Sequence, residues 1–418
     1  MRLTRRVTLG IAFALLLTGC SGRSAPAARA ATSSPPPTMR FTSGEAARGI
    51  PFRLVDDQIV LAVTINDSLT LDMVLDTGMP IDGAMLLDPK LGERLGLRYV
   101  QQIPLGGGGS EGPNLAGVAP GATLGLPGIT FGGQTLLVLQ DAGTRAHWPV
   151  AAILGRTLMA GVVEIDYEQQ VIHVSRRLPD AIEQIGEAIP LTFQQGIPAV
   201  AAAVAIDGGA EVPVELLVDT GTNDPVLLRT ATHPDLRRPA RTIRGVKGVL
   251  GEGLNGPMGG SVGRIDRLTL GSFALESVWG AFLDDSAMGT AVTLGGNGLL
   301  GNEALQRFHV VFDYSGSRMF LRPNARFPRP FEFDMAGLVL QARSDHSYSV
   351  LDVILDSPAA RAGIAGGDVL VAADGKDVRA LPSEQVFSML RKRGARIALT
   401  VERGKRRLTR TVVLERLI

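Results

Sequence analysis

The chain has 418 residues, with 42 basic and 41 acidic side chains and one cysteine. Balanced charge excludes the basic footprint of a nucleic-acid-binding protein, and a lone cysteine excludes an internal disulfide framework. Fifty-one glycines and 5% aromatic residues point to a mostly-β, turn-rich chain with a core of Leu, Val, Ile and Ala, long enough for two or three domains.

The N-terminus reads as an export signal. Arg2, Arg5 and Arg6 precede the apolar run 9–17, which is too short to span a bilayer. Leu17-Thr18-Gly19-Cys20 resembles a bacterial lipobox, which makes Cys20 the expected lipidation site and the link to the membrane. Thr4-Arg5-Arg6-Val7-Thr8-Leu9 half-matches a twin-arginine signal, with Thr8 a poor fit. Ser21, in place of Asp after the lipidated position, favours a periplasm-facing outer-membrane location over the inner membrane. Residues 21–47 include Ser33-Ser34-Pro35-Pro36-Pro37 and read as a disordered tether.

Two apolar strands then run straight into the same tripeptide. Leu71-Asp72-Met73-Val74-Leu75 leads to Asp76-Thr77-Gly78, and Glu215-Leu216-Leu217-Val218 leads to Asp219-Thr220-Gly221, 143 residues later. A Gly-rich stretch follows each: Gly106 to Gly112, with Gly107, Gly108 and Gly109, and then Gly251 to Gly256, with Gly253. Ile153-Leu154-Gly155 and Leu299-Leu300-Gly301 come next, 79 and 82 residues after their aspartates. Each half closes on an Asp-Tyr pair, Asp166-Tyr167 and Asp313-Tyr314. Four landmarks in one order and near-constant register mark an internal duplication. Two carboxyls sharing a site cannot both ionise cheaply, so one keeps a proton while the other acts as base. That is chemistry for activating a water against a peptide carbonyl.

Over residues 48 to 325 this pattern resembles the retropepsin-like and pepsin-like aspartic peptidases. The resemblance implies two β-barrel lobes, 48–180 and 181–328, forming a pseudo-two-fold monomer with a peptide or protein substrate in the cleft. It makes Asp76 and Asp219 the catalytic pair and the Gly-rich stretches the flaps, with no cofactor and no metal. Thr77 and Thr220 would brace the loops. Gly78 and Gly221 would allow close backbone approach and conformations forbidden to a β-carbon. Thr222 suits the position after the second glycine, where an oxygen can bond the carboxylate. Met79 departs from that pattern, and the first flap lacks an aromatic residue. Both departures favour a rival reading, a peptide-binding or scaffold lipoprotein with a silent cleft.

Prolines and arginines between Pro323 and Pro330 mark a boundary, and residues 329–418 resemble a PDZ domain. The resemblance rests on Asp356-Ser357-Pro358-Ala359-Ala360-Arg361-Ala362-Gly363-Ile364 and Gly367-Asp368-Val369-Leu370, leading to Asp374-Gly375. Ser357-Pro358 suits a helix start, Gly363 its end, and Asp374-Gly375 a tight hairpin. The resemblance places a carboxylate-binding loop at Gly337-Leu338-Val339-Leu340, which lacks the second glycine of that loop, and a groove helix over 382–393. Its implied partner is a peptide C-terminus.

Other signals carry less. Gly108-Gly109-Ser110-Glu111-Gly112 and Gly259-Gly260-Ser261-Val262-Gly263 match a serine-hydrolase elbow but lie in Gly/Pro-rich loops without the strand–turn–helix context. Gly251-x-Gly253-x-x-Gly256 lacks the βαβ unit of a dinucleotide site. The five histidines have no metal-ligand spacing. The basic run 403–410 alternates with apolar residues and reads as the solvated face of a strand.

Overall fold

The computed structural model describes residues 37–106, 114–141, 148–178, 185–244, 252–257, 260–283 and 295–418. Cys20, Gly107, Gly108, Gly109 and Gly251 lie outside the described residues. Most of the described chain is strand, in the acid-protease-like arrangement followed by a PDZ domain.

The duplication is visible strand by strand. In the first lobe the spatial order is Gln58–Ile65, Leu69–Leu75, Ala152–Leu154, Gly83–Leu86, Ile129–Leu139, Asn114–Leu126, Gln101–Leu105. In the second it is Ile197–Ala205, Val212–Asp219, Gly298–Gly301, Val226–Arg229, Phe273–Leu283, Ser261–Leu270, Thr242–Arg244. Both sheets curl so that the first strand also pairs with the sixth. In each lobe the aspartate-bearing strand lies parallel to the short Leu-Gly strand: Leu75 faces Leu154, and Asp219 faces Gly301. These strands are buried at the end that delivers the aspartate, so an unbroken apolar run, not alternation, is the expected pattern.

A six-stranded sheet joins the lobes. Its order is Glu187–Pro190, Arg318–Pro323, Phe308–Asp313, Val162–Asp166, Val171–Ser175, Ala46–Val55. The pseudo-dyad passes between the two central strands, where Val163 faces Phe312 and Ile165 faces Val310. These are the strands that end in the Asp-Tyr pairs. Asp166 accepts from the N–H groups of Glu168 and Gln169, and Asp313 accepts from Ser315, Gly316 and Arg318. Both aspartates fasten turns, as their position at strand ends suggests. One apolar cluster runs through both lobes.

The C-terminal domain has its own cluster, including Leu338, Val350, Leu370, Val386, Leu390 and Leu399. Ser357 caps the Pro358–Arg361 helix by accepting from Ala360 N at 3.2 Å. Gly363 is left-handed at φ +77°, and Asp374 and Gly375, at +47° and +74°, make the hairpin. The groove helix is Ser383–Leu390. The Arg406–Val413 strand pairs with Arg396–Arg403, with Arg406 and Arg407 exposed and Arg410 half-buried. The connection after Pro323 is packed down: the Arg307 guanidinium lies 3.4 Å from the Phe331 ring centre and donates to Pro330 O. No helix among the described residues is long and apolar enough to cross a membrane.

Phe312 is fully buried on the dyad strand. Phe312→Ala is expected to cost about 3–5 kcal/mol, read as a lowered midpoint in chemical denaturation; an unchanged midpoint would show that the central sheet does not carry the lobe pairing.

Candidate active site

The two Asp-Thr-Gly loops meet on the pseudo-dyad. Thr77 Oγ1 donates to Val218 O at 2.6 Å and accepts from Thr220 N at 3.0 Å. Thr220 Oγ1 donates to Leu75 O at 2.7 Å and accepts from Thr77 N at 3.1 Å. Each hydroxyl thus grips the opposite loop with one bond given and one received. Thr77 and Thr220 are 1% and 0% exposed, so no water competes for these bonds and none can be lost cheaply.

This clamp sets the aspartates face to face. A Cβ on Gly78 would stand 2.9 Å from Asp219 Cγ, and one on Gly221 would stand 2.5 Å from Asp76 Cγ. Neither glycine has a left-handed φ, which corrects the expectation of a forbidden conformation; glycine is required here for space alone. The supporting glycines obey the same rule: a Cβ on Gly155 would strike Ile81 O, and one on Gly301 would strike Asp224 O.

Both carboxyls are buried and within hydrogen-bonding reach of each other. Burial lifts Asp76 well above the usual carboxylate range, and the charge and hydrogen bond of Asp219 lift it further. Burial also raises Asp219, but the N–H groups of Gly221 and Thr222 and the Asp76 side chain oppose the rise. Gly221 N lies 2.8 Å from Asp219 Oδ1. Both carboxyls are therefore held above the ordinary range as one coupled pair that shares a proton. The Oδ1 atom of Asp76 is buried and receives no hydrogen bond from the protein.

The residues after the glycines differ in role. The backbone N–H of Thr222 serves Asp219, while its methyl lies against the Cα of Gly301. Met79 also offers its N–H to Asp76. Its side chain is fully buried, in an apolar cluster with Met85, Leu105, Ala116 and Leu254. Leu254 belongs to the second lobe's Gly-rich hairpin, in which Glu252–Gly253 pairs with Gly256–Pro257. Asn114 Nδ2 donates to Leu254 O at 2.9 Å and to Asn255 Oδ1 at 2.8 Å. The tip of that flap is seated on the first lobe, and Met79 helps to form its seat. Asn114, Leu254 and Asn255 were not legible as site residues; the only signal was the unusual Met79.

Residues 202–304 match the aspartyl protease family model, and residues 349–403 match the PDZ domain model. The chain carries an aspartyl protease-like domain and a PDZ domain. The aspartic proteinase of Irpex lacteus is similar at 14% identity, over 68% of this chain and 99% of its own, with TM-score 0.44. A photosystem II D1 C-terminal processing protease is similar at 23% identity over 19% of this chain and 22% of its own, with TM-score 0.18. An aminopeptidase N family protein from Idiomarina loihiensis is similar at 21% identity over 21% of this chain and 15% of its own, with TM-score 0.19. No curated protein matches the chain. The family match lies on the second lobe; the shared strand order and the threonine clamp tie the first lobe to it.

In the PDZ domain, Leu338–Ala342 is an edge strand beside Tyr348–Val353. The N–H groups of Gly337 and Leu338 donate to Asp334 Oδ1, the latter at 2.9 Å. Two amides of the expected carboxylate loop are therefore engaged by a carboxylate of the same chain. Gly337, at φ +85°, has no room for a β-carbon beside Ser357.

Thr77→Val keeps the shape but leaves Thr220 N and Val218 O unpaired, and is expected to cost about 2–4 kcal/mol of stability; a change below about half a kcal/mol would show that the clamp is not under load. The raised Asp76 carboxyl binds its proton more tightly when folded, so it weakens folding as pH climbs from the ordinary carboxylate range through its raised value. Asp76→Asn should therefore raise Tm near neutral pH, with the gain fading below about pH 4. A pH-independent gain would refute this origin.

Proposed function

We propose that this chain is a membrane-tethered aspartic endopeptidase in which Asp76 and Asp219 activate a water against a peptide bond. The observation that carries the reading is the buried carboxyl pair held face to face by the threonine clamp. In this mechanism a peptide lies extended between the lobes, at the Gly-rich stretches. The ionised carboxylate of the pair takes a proton from the water, while its protonated partner donates to the scissile carbonyl oxygen. Asp76 Oδ1, which no protein donor reaches, is available to the incoming water. The carboxyl that took the water's proton passes it to the amine nitrogen as the C–N bond breaks, and the other carboxyl recovers its proton from the gem-diol hydroxyl, which returns the pair to its starting state. The two groups titrate as a unit.

The tether in this reading is lipidated Cys20, which would hold the enzyme at the bacterial envelope, facing the periplasm, with 21–47 as spacer. The PDZ domain would recruit a peptide segment or partner protein. The seated flap tip favours a second reading, a binding protein whose cleft holds peptides without cutting them.

Cleavage of a peptide library by the full chain in detergent, from about pH 4 to about pH 8, decides between them. Asp76→Asn and Asp219→Asn are each expected to lower turnover by about 10²–10⁴-fold while the protein stays folded. Normal turnover in either folded variant would refute the dyad, and no cleavage by the unaltered chain at any pH would leave the binding reading. Cys20→Ser should move the protein out of the membrane fraction; retention there would refute the lipid anchor.

A further inference from the structure

We propose that Gln58 positions the Asp219 loop, and that its hairpin turn, lodged against the PDZ groove, transmits occupancy of that groove by a basic peptide segment to the carboxyl pair. This rests on reading Asp76 and Asp219 as the reacting pair.

The turn joins Ala46–Val55 to Gln58–Ile65, with Val55 facing Gln58. Its two central residues, Asp56 and Asp57, have φ of +49° and +60°, the stiff two-residue turn that suits a twisted hairpin. Three consecutive residues then reach three different places. Asp56 Oδ2 accepts from Ala342 N at 3.3 Å, at the end of the groove's edge strand. Asp57 accepts from Asn302 Nδ2 and Gln306 Nε2 of the second lobe, and its carboxylate lies 3.9 Å from Arg391, just past the groove helix. Gln58 Nε2 donates to the carbonyl oxygen of Gly221, the residue whose Cα stands against the Asp76 carboxyl. Asn302 in turn accepts from Tyr167 OH at 2.6 Å, which fixes the turn from the other side of the dyad. The matching turn of the second lobe places Gly196 against Pro80 and Arg156 of the first. Each lobe therefore backs the other's catalytic loop with a hairpin turn, and the first lobe's turn is the one held by the PDZ domain.

A peptide that adds as a strand along Leu338–Ala342 must place a carbonyl on Ala342 N, the group that Asp56 engages. The turn stands over the open side of that strand, and the remaining space is lined by Leu338, Val339 and Leu340 of the strand and by Asp56 and Asp57 of the turn. Entry therefore displaces Asp56, and the stiff turn passes the shift to Gln58 and Gly221. The wall of this space carries Asp56, Asp57, Asp224 and Glu303 against Arg391. Asp334 already holds the amides of Gly337 and Leu338. A free C-terminal carboxylate meets acceptors and few free donors there, whereas a Lys or Arg side chain finds acceptors to donate to.

Amide hydrogen exchange across residues 216–223 of the full chain tests the link without requiring turnover. Gln58→Ala and Asp56→Ala are each expected to speed exchange there by about three- to tenfold, the loss of one hydrogen bond, with Phe308–Asp313 unchanged. Ala342→Pro, which removes the edge N–H where proline is tolerated, should match Asp56→Ala. If either groove-side variant folds and leaves the loop's exchange unaltered, the link is refuted; a rise spread through both lobes would mean a merely structural role and also refute it. A short peptide of alternating lysine and valine should raise loop exchange in the unaltered chain and have no such effect in Asp56→Ala. Failure of that peptide to bind, or binding without a loop response, refutes groove sensing. Absent cleavage with the exchange link intact would fault the peptidase reading alone, and intact cleavage without the link would fault this inference alone.

Discussion

Two carboxyls buried together repel and desolvate each other, and the molecule must hold them in place against that cost. The threonine clamp does so with four hydrogen bonds that all cross the dyad. Because each bond joins one lobe to the other, neither loop can take its working position alone. The clamp constrains the rest: the strands that feed it must be parallel to the Leu-Gly strands, the facing residues must be glycine, and the lobes must be fastened behind it by the central sheet. Strain of this kind persists only where the surroundings over-determine the geometry. Here the buried apolar ends of the strands entering from both sides provide that determination.

Duplication gives two similar lobes, but the chain has made them unequal at points that matter chemically. Asp219 is served by the N–H groups of Gly221 and Thr222, while Asp76 feels Asp219 as its largest influence after burial. The two carboxyls therefore sit in unlike surroundings while titrating as one coupled pair. A second inequality lies after the glycines, where Met79 stands in the first lobe and Thr222 in the second. The hairpin tip of the second lobe sits on the first lobe through Leu254 and Asn255, beside the methionine that replaces the usual small residue. The side chain of Met79 is spent on packing, and its backbone N–H still reaches Asp76.

Much of this was legible because it repeats. Apolar strands ending in Asp-Thr-Gly, the Leu-Gly segments and the Asp-Tyr strand ends kept their register, and those are the features whose backbone geometry is copied between lobes. The helix cap at Ser357 and the turn at Asp374-Gly375 were legible because they depend on local chemistry. What could not be read was unsymmetric and long-range. Gln58 is a polar residue after a turn, and nothing near it in sequence announces Gly221, 163 positions away. Asn302 follows the Leu-Gly landmark where the first lobe has Arg156, so a break in the repeat was the one available signal. Asp334 lies upstream of the carboxylate loop, and its capture of Gly337 and Leu338 depends on a local fold that the PDZ pattern does not specify.

The position of the PDZ domain follows from these asymmetries. An edge strand exposes N–H groups that must be paired, covered or hydrated, and Ala342 N is covered by the first lobe's own turn. The acidic groups gathered around it are buried enough that Asp56, Asp224 and Glu303 are each pushed up to about 7. A junction of this kind is costly to keep closed when those groups ionise, and it becomes less costly when an opposite charge enters or a proton binds. Beside these carboxyls the junction also packs Trp279 against Phe333 and buries Val339 in the lobes' apolar cluster. Carboxyls placed between the groove helix and the second lobe leave the junction poised, and the hairpin whose turn fills it also supports, through Gln58, the loop carrying Asp219.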